Sequence, residues 1–127
     1  MDISIESMDE VVSVSQRVQH FCHDKGIDGR RAYLAALSLE EMARNVVEHG
    51  FTKDRRSHSI DIRVAHKDDD IILRIRDDCI PFDPVSRYKL GANEDKTFNI
   101  GLRIVFGISK DIQYQNILGM NALTIRI

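Results

Sequence analysis

Five side chains at four-residue intervals carry the types needed for ligand or metal chemistry. They are Tyr33, Leu37, Glu41, Asn45 and His49, and this spacing places them on one line along an α-helix. The line begins apolar, which favours a core-facing position, and then turns polar. An acid and an amide one turn apart, with Cβ atoms about 5–6 Å apart, can share one ligand or one metal ion. The pattern predicts a helix that walls a cavity.

A second acid is placed by the alternation of side chains along a strand. Asp77 ends the segment DIILRIRD and shares one face with its apolar residues Ile71, Leu73 and Ile75. Helices must cover that face, so we expect Asp77 to lie on the side of Glu41 and Asn45. A buried carboxylate needs a hydrogen-bond donor. The donor is either a backbone N–H of the following turn or an amine of a ligand.

The remaining elements follow from periodicity and from helix start and stop signals. We predict strands at 2–6, 59–66, 70–77, 111–116 and 121–127, and helices at 8–24, 28–49 and 100–109. Asp28 caps the second helix, and Gly50 ends it in the left-handed conformation. Asn121 falls on the buried row of the last strand. Residues 78–99 form a long loop. The order predicts an α+β fold, a two-layer α/β sandwich with a mixed, mostly antiparallel sheet and helices on one face.

Composition restricts the class of protein. A chain of 127 residues favours a single domain over residues 1–127. The net charge of −2 gives no basic excess for a nucleic acid, so none is expected as a partner. No apolar run is long enough to span a membrane, and the first residues lack a signal-peptide layout. Cys22 and Cys79 show no metal-ligand spacing and are interpreted as reduced thiols of a cytoplasmic protein.

Three segments together resemble one known family. Glu41-Met-Ala-Arg-Asn45, followed by a His-Gly pair, resembles the E-x-x-x-N box of the GHKL (Bergerat-fold) ATPases. The resemblance is strongest to the anti-sigma-factor serine/threonine kinase branch. The segment from Asp77 to Pro84 resembles the D-x-G-x-P-F-D-P motif of that branch, and Asn99-Ile-Gly101-Leu102 resembles its G-x-G-L motif. The motifs occur in the order and spacing of the family and cover nearly the whole chain.

The resemblance implies a ligand and roles for residues. Family members bind ATP with Mg²⁺ between the helices and the sheet, under a mobile lid that corresponds to about residues 85–99 here. Asn45 would hold Mg²⁺, Asp77 would accept the adenine amino hydrogen, Gly101 would let the backbone approach the phosphates, and Glu41 would act as the base. The other positions assigned to the nucleotide site are Cys79, Gly91, Asn99, Leu102 and Asn121.

Two positions depart from the motifs. Cys79 stands where the family usually has glycine, and its side chain would either crowd the adenine edge or change the shape of the turn. Asn99 stands where the first glycine of G-x-G is usual, and asparagine tolerates positive φ better than most residues. In the lid, Glu94 and Asp95 would oppose a triphosphate unless they face water.

The resemblance implies an ATP-binding anti-sigma-factor-type protein serine/threonine kinase of a bacterial signalling switch. Its partners would be a sigma factor and an anti-sigma-factor antagonist. Because family members often pair through sheet edges, a homodimer is compatible with the resemblance. The alternative is a catalytically weak or inactive binding module that sequesters a protein partner. A sensor histidine kinase fragment is disfavoured, because no dimerisation helix with a phosphorylatable histidine is recognised.

Overall fold

The computed structural model describes residues 1–54, 56–86 and 100–127, without the side chain of Leu102. Its strands are β1 (Asp2–Ile5), β2 (Ile60–Lys67), β3 (Asp70–Asp77), β4 (Asp111–Ile117) and β5 (Met120–Arg126). Its helices are α1 (Asp9–Asp24), α2 (Gly29–Val46) and α3 (Ile100–Ile108). A π-helical turn, Val47–Phe51, continues α2. Most of the predicted lid, with Gly91 and Asn99, lies outside the described residues.

The five strands form one sheet in the order β1-β2-β3-β5-β4, and all neighbouring pairs are antiparallel. Alternation along the strands separates the two faces of this sheet. One face carries the buried residues Ile62, Leu73 and Ile125, which share a core with the apolar side of α1 and α2. The other face carries exposed arginines such as Arg63 and Arg74. The predicted two-layer α+β sandwich is therefore confirmed.

The start of α2 agrees with the prediction and its end does not. The Asp28 side chain accepts a hydrogen bond from the Arg31 backbone N–H at 3.0 Å and so caps the helix. Gly26, before it, has φ of +73°. Gly50 was expected in the same left-handed region, but the described glycines with positive φ are Gly26 and Gly119. Gly50 instead lies inside the π-helical turn, where the lack of a Cβ atom serves a packing contact described below.

The line of five side chains on α2 is not core-facing along its whole length, contrary to the expectation. Tyr33 is 57% exposed, and the four later residues of the line are half-buried. Four residues advance a helix by slightly more than one turn, so such a line drifts by about 40° per step. It therefore runs from solvent at Tyr33 towards the margin of the core at His49. The buried face consists mainly of small residues: Ala32, Ala35, Ala36, Ser38, Leu39, Met42 and Ala43.

Candidate nucleotide-binding site

A pocket lies between the end of α2, the strands β3 and β5, and the segment that follows β3. The pocket is narrow, with a cavity volume of only about 30 Å³. The walls are mostly apolar, with a few polar groups directed between them, as is usual for small-molecule sites. The lining residues are Met42, Asn45, Val46, His49, Gly50, Ile75, Asp77, Cys79, Ile80, Phe82, Pro84, Tyr114, Asn121 and Leu123.

Asp77 and Asn121 form the polar floor of the pocket. Both lie on core-facing strand positions, are directly opposite in register, and are 5% and 4% exposed. The Asn121 side-chain amide donates to Asp77 Oδ1 at 2.8 Å, and the Cys79 backbone N–H donates to the same oxygen at 3.0 Å. The alternative donor considered for Asp77, an N–H of the following turn, is thus present. Burial raises the pKa of the Asp77 carboxyl, although these hydrogen bonds oppose the rise.

Asn121 also fixes the segment after β3. Its amide donates to the carbonyl oxygens of Cys79 at 3.1 Å and Ile80 at 3.2 Å. Its own oxygen accepts from the Tyr114 hydroxyl and from the Asn116 amide, both on β4. Tyr114 and Asn116 were not predicted as site residues from the sequence. The alternation of side chains along β4 could have indicated them, because Tyr114 and Asn116 lie on the same face of the strand as the half-buried Ile112. In addition, Asn116 is paired with Asn121 in the sheet.

The Cys79 side chain is buried against Gly50. A Cβ atom at Gly50 would lie 2.7 Å from both Cβ and Sγ of Cys79. The thiol also makes a hydrogen bond to the Asp77 carboxyl, and burial, followed by the charge of Asp77, raises the pKa of Cys79 to about 12. A cysteine at this position thus fits because the neighbouring helical turn provides a glycine. It also competes for the carboxyl group expected to receive a ligand amine.

The mouth of the pocket carries aromatic groups. The His49 ring stacks on Phe82, with 5.2 Å between ring centroids and 14° between their planes. Tyr114 also lines the pocket, and burial raises the pKa of its hydroxyl group. Asn45 is half-buried on the wall between His49 and the interior of α2. The structure therefore brings Asn45, Asp77, Cys79 and Asn121, four of the predicted site residues, to one pocket.

Glu41 lies outside this pocket lining, next to α3. Its carboxylate is so close to the α-carbon of Gly101 that a Cβ atom there would lie 2.1 Å from Oε2. The Arg44 guanidinium contacts the other oxygen at 3.2 Å and Glu40 at 2.7 Å. Gly101 therefore permits a close approach, and the group that approaches it in this structure is the Glu41 carboxylate; the approach of phosphates to Gly101 stays a prediction. Leu102 follows within α3.

Comparison with known proteins identifies the family. A sequence profile of the histidine kinase-like ATPase domain matches residues 6–127. The chain belongs to this family. Membership places the ATPase domain in the GHKL superfamily, and it supports ATP binding.

A solved structure supports the same fold. The histidine kinase domain of a blue-light activated histidine kinase from Erythrobacter litoralis superposes with a TM-score of 0.62 at 14% sequence identity. The match covers 94% of this chain but only 63% of that one, slightly under two thirds of its length. No curated protein sequence is significantly similar to this chain. Within the described part of the chain, no helix combines the length and apolar character needed to cross a bilayer.

Proposed function

We propose that this ATPase domain is an ATP-dependent protein serine/threonine kinase of the anti-sigma-factor type. The observation that carries the proposal is the Asp77 carboxyl group, 5% exposed on the floor of the pocket. The Asn121 and Cys79 amides both donate to its Oδ1. A buried acceptor with a fixed orientation selects a ligand that supplies an N–H at that point, as the amino edge of adenine does.

The small cavity volume sets a condition on binding. About 30 Å³ is too small for a purine, so the pocket must widen before the base can enter. We therefore expect the base to enter from the mouth and to displace the Phe82 ring from His49. Asn121 anchors the segment after β3 through the carbonyl oxygens of Cys79 and Ile80, so we expect the Phe82 ring to rotate while Asp77 stays in place.

Asn45 fits the role of a Mg²⁺ ligand. It presents an amide on the pocket wall, and Mg²⁺ prefers oxygen ligands and takes few from the protein. When bound with ATP, Mg²⁺ neutralises phosphate charge. Glu41 lies one helical turn from Asn45 on α2. Its carboxylate would act as the base that orients or deprotonates the hydroxyl group of the phosphoacceptor. To act there, it must turn away from Gly101, against which it rests in this structure.

The partners belong to the same proposal. The phosphoacceptor is a serine or threonine of a small anti-sigma-factor antagonist, and the sequestered partner is a bacterial sigma factor. A homodimer through the sheet edges and a cytoplasmic location are part of this proposal. The partners and the homodimer rest on the likeness of the Asp77–Pro84 segment and the Glu41–Asn45 box to the anti-sigma-factor branch, and the cytoplasmic location rests on the interpretation of the cysteines as reduced thiols.

Calorimetric titration tests the nucleotide site. ATP and ADP are titrated into the parent protein and into Asp77→Asn, with and without Mg²⁺. We expect specific heat with the parent and at least a tenfold weaker affinity in the variant, about 1.4 kcal/mol. Asn45→Ala should lose the difference between the titrations with and without Mg²⁺. Equal affinities of the parent and Asp77→Asn would remove Asp77 from the site.

A transfer assay tests the chemistry separately. Labelled ATP is incubated with the domain and a panel of antagonist domains. Glu41→Ala should abolish transfer while nucleotide affinity stays nearly unchanged, because the carboxylate acts on the hydroxyl and not on the purine. The absence of transfer to every antagonist, with ATP bound by the parent, would refute the kinase activity and leave ATP binding intact.

A binding module without chemistry is the second candidate. It is favoured by the Cys79 thiol, which occupies the Asp77 carboxyl, and by the Glu41 carboxylate, which rests against Gly101. In that case the surface sequesters a partner and ATP binds poorly. A dissociation constant above roughly 1 mM, only about 4 kcal/mol of binding free energy, would support this candidate.

A further inference from the structure

We propose that the ATPase domain has a second metal site, for a thiophilic divalent ion such as Zn²⁺, formed by His58, Asp78 and Cys79. The ligand atoms of these three side chains lie within 4.8 Å of one another. They come from the residues just before β2 and just after β3. The site is separate from Asn45 and does not depend on nucleotide binding.

The imidazole of His58 is held as a metal ligand would be. Its side chain is only 3% exposed and tilts against the Phe51 ring. Nδ1 lies 3.0 Å from Asp78 Oδ1, on the side of the cluster, and Nε2 lies 2.7 Å from Asp54 Oδ1, on the other side. A ligating histidine usually gives its second ring N–H to a carboxylate, which fixes the ring and its tautomer. Asp54 occupies that position.

Cys79 is equally well fixed. Its backbone N–H is bonded to Asp77 and its carbonyl oxygen to the Asn121 amide, so its Cβ atom has a set position. Thiolate and imidazole ligands select Zn²⁺ over Mg²⁺, which prefers oxygen ligands. Bonds of about 2.0–2.3 Å in a tetrahedral site place ligand atoms about 3.3–3.8 Å apart. His58 Nδ1 and Asp78 Oδ1 are already 3.0 Å apart, so the shift of up to about 1 Å that closes the cluster falls on the Cys79 thiol, which can rotate about its Cα–Cβ bond.

In the metal-free protein, His58 can instead form hydrogen bonds with its two neighbouring carboxylates. A proton on each ring nitrogen of His58 satisfies both carboxylates, and Asp54 and Asp78 raise the pKa of His58 accordingly. The Cys79 thiol takes no part in that arrangement of His58, Asp54 and Asp78. Metal binding displaces the Nδ1 proton and the thiol proton into solvent, and the thiolate then bonds the metal. The Cys79 thiol also stops donating to Asp77, so the ion would release an acceptor on the pocket floor.

Cobalt titration of nucleotide-free, tag-free protein tests the site. After treatment with a chelator, the parent should bind one Co²⁺ with a thiolate-to-cobalt charge-transfer band, and Zn²⁺ should displace it. Cys79→Ser should remove the band. His58→Gln should weaken Zn²⁺ binding at least 100-fold, and Asp54→Asn by about 10- to 100-fold. Because no nucleotide is present, the result is independent of the ATP proposal.

Matched variants control for other thiols and imidazoles. Cys22→Ala removes the other cysteine, which is buried in the helical core, and should keep the band. His20→Gln removes an exposed histidine next to Asp24 and should leave the affinity unchanged. If Cys79→Ser fails to fold, as judged by circular dichroism, Asp78→Asn replaces it, because its exposed side chain tolerates the change. The site is refuted if the parent shows no thiolate band, if the band survives Cys79→Ser, or if folded Asp78→Asn keeps full affinity.

Discussion

Gly50 and Cys79 form a matched pair in which one residue provides space for the other. A Cβ atom at Gly50 would stand 2.7 Å from two atoms of Cys79, closer than van der Waals contact allows. Both groups are attached directly to backbone, one in the π-helical turn and one in the anchored turn after β3. Neither can move without shifting the wall or the floor of the pocket.

Gly50→Ala should therefore destabilise the domain by about 1–3 kcal/mol, the usual cost of an overpacked core. In a Cys79→Gly background the cost should largely disappear, because a helical glycine replaced by alanine is otherwise favourable by about 0.5–1 kcal/mol. Urea denaturation of the four proteins in this double-mutant cycle measures the coupling. Gly107→Ala, where the new Cβ meets nothing within 4 Å, should not lower stability. Equal losses in both backgrounds would contradict the paired contact.

Gly101 presents the opposite case. The atom in its way is Oε2 of Glu41, the far end of a flexible side chain. A substitution there can be accommodated by rotation of Glu41, so it tests the position of that carboxylate more than the stability of the fold. The two glycines differ in what faces them, and only the structure reveals this difference.

The sequence predicted Asp77 better than Gly50 for a physical reason. Alternation along a strand has a period of two and is independent of neighbouring elements, so the buried side of Asp77 and Asn121 followed from Ile71 and Leu123. The role of Gly50 depends on Cys79, a residue 29 positions away in the sequence. A glycine after a helical pattern usually marks a left-handed cap, and no local signal distinguishes that use from a packing contact.

At the scale of elements, α2 is held at its start by a cap and by a contact with the end of the sheet. Asp28 has the extended conformation of an N-cap residue, with φ −60° and ψ 153°, and its carboxylate satisfies the Arg31 backbone N–H. The Arg31 side chain in turn donates to the carbonyl oxygen of Ile127 at 3.1 Å. The first turn of α2 is thereby tied to the end of the sheet.

Asp28→Ala should lower the free energy of unfolding by about 1 kcal/mol, within the range of 0.5–2 kcal/mol for lost N-caps. Asp28→Ser should recover most of this loss, since serine also accepts the hydrogen bond. Urea denaturation followed by circular dichroism measures both variants. A serine variant no more stable than the alanine variant would show that capping is not what Asp28 contributes.

The elements themselves were largely predictable, whereas the line on α2 was not. Periodicity gave the helices and strands to within a few residues, because each has one apolar face against a common core. The prediction that the five-residue line faces the core was wrong at Tyr33, because residues four positions apart drift around the helix axis. The π-helical turn at Val47–Phe51 further changes the direction in which side chains point around the helix axis, and helix propensities do not predict such a turn.

At the scale of the whole molecule, Asp70 joins several elements through charge. It begins β3 and contacts Lys110 before β4 and, at 3.6 Å, Arg126 on β5. A hydrogen bond from Lys110 is the main cause that lowers the pKa of Asp70 below its ordinary value of 3.8. A carboxyl with a lowered folded-state pKa stabilises the protein above its unfolded pKa, and the gain is lost as pH falls through the folded value.

Asp70→Asn should therefore be less stable than the parent above about pH 4, and the difference should shrink as the pH is lowered further. Urea denaturation between about pH 3 and 7 measures it, at low salt because screening weakens such pairs. Asp61→Asn, an exposed change on β2, serves as the control. A difference that persists unchanged at the acid end would assign the effect to packing and not to charge.

Ligand binding should also be visible as stability of the whole domain. A ligand that binds only the folded state at 100 times its dissociation constant adds about 2.7 kcal/mol, which for a domain of this size corresponds to a rise in Tm of about 10 °C. We expect ATP to produce such a rise in the parent and in Asp61→Asn, and a much smaller one in Asp77→Asn. Differential scanning fluorimetry measures all three. If ATP raises the Tm of Asp77→Asn as much as that of the parent, the nucleotide binds at a place other than the pocket between α2 and β3.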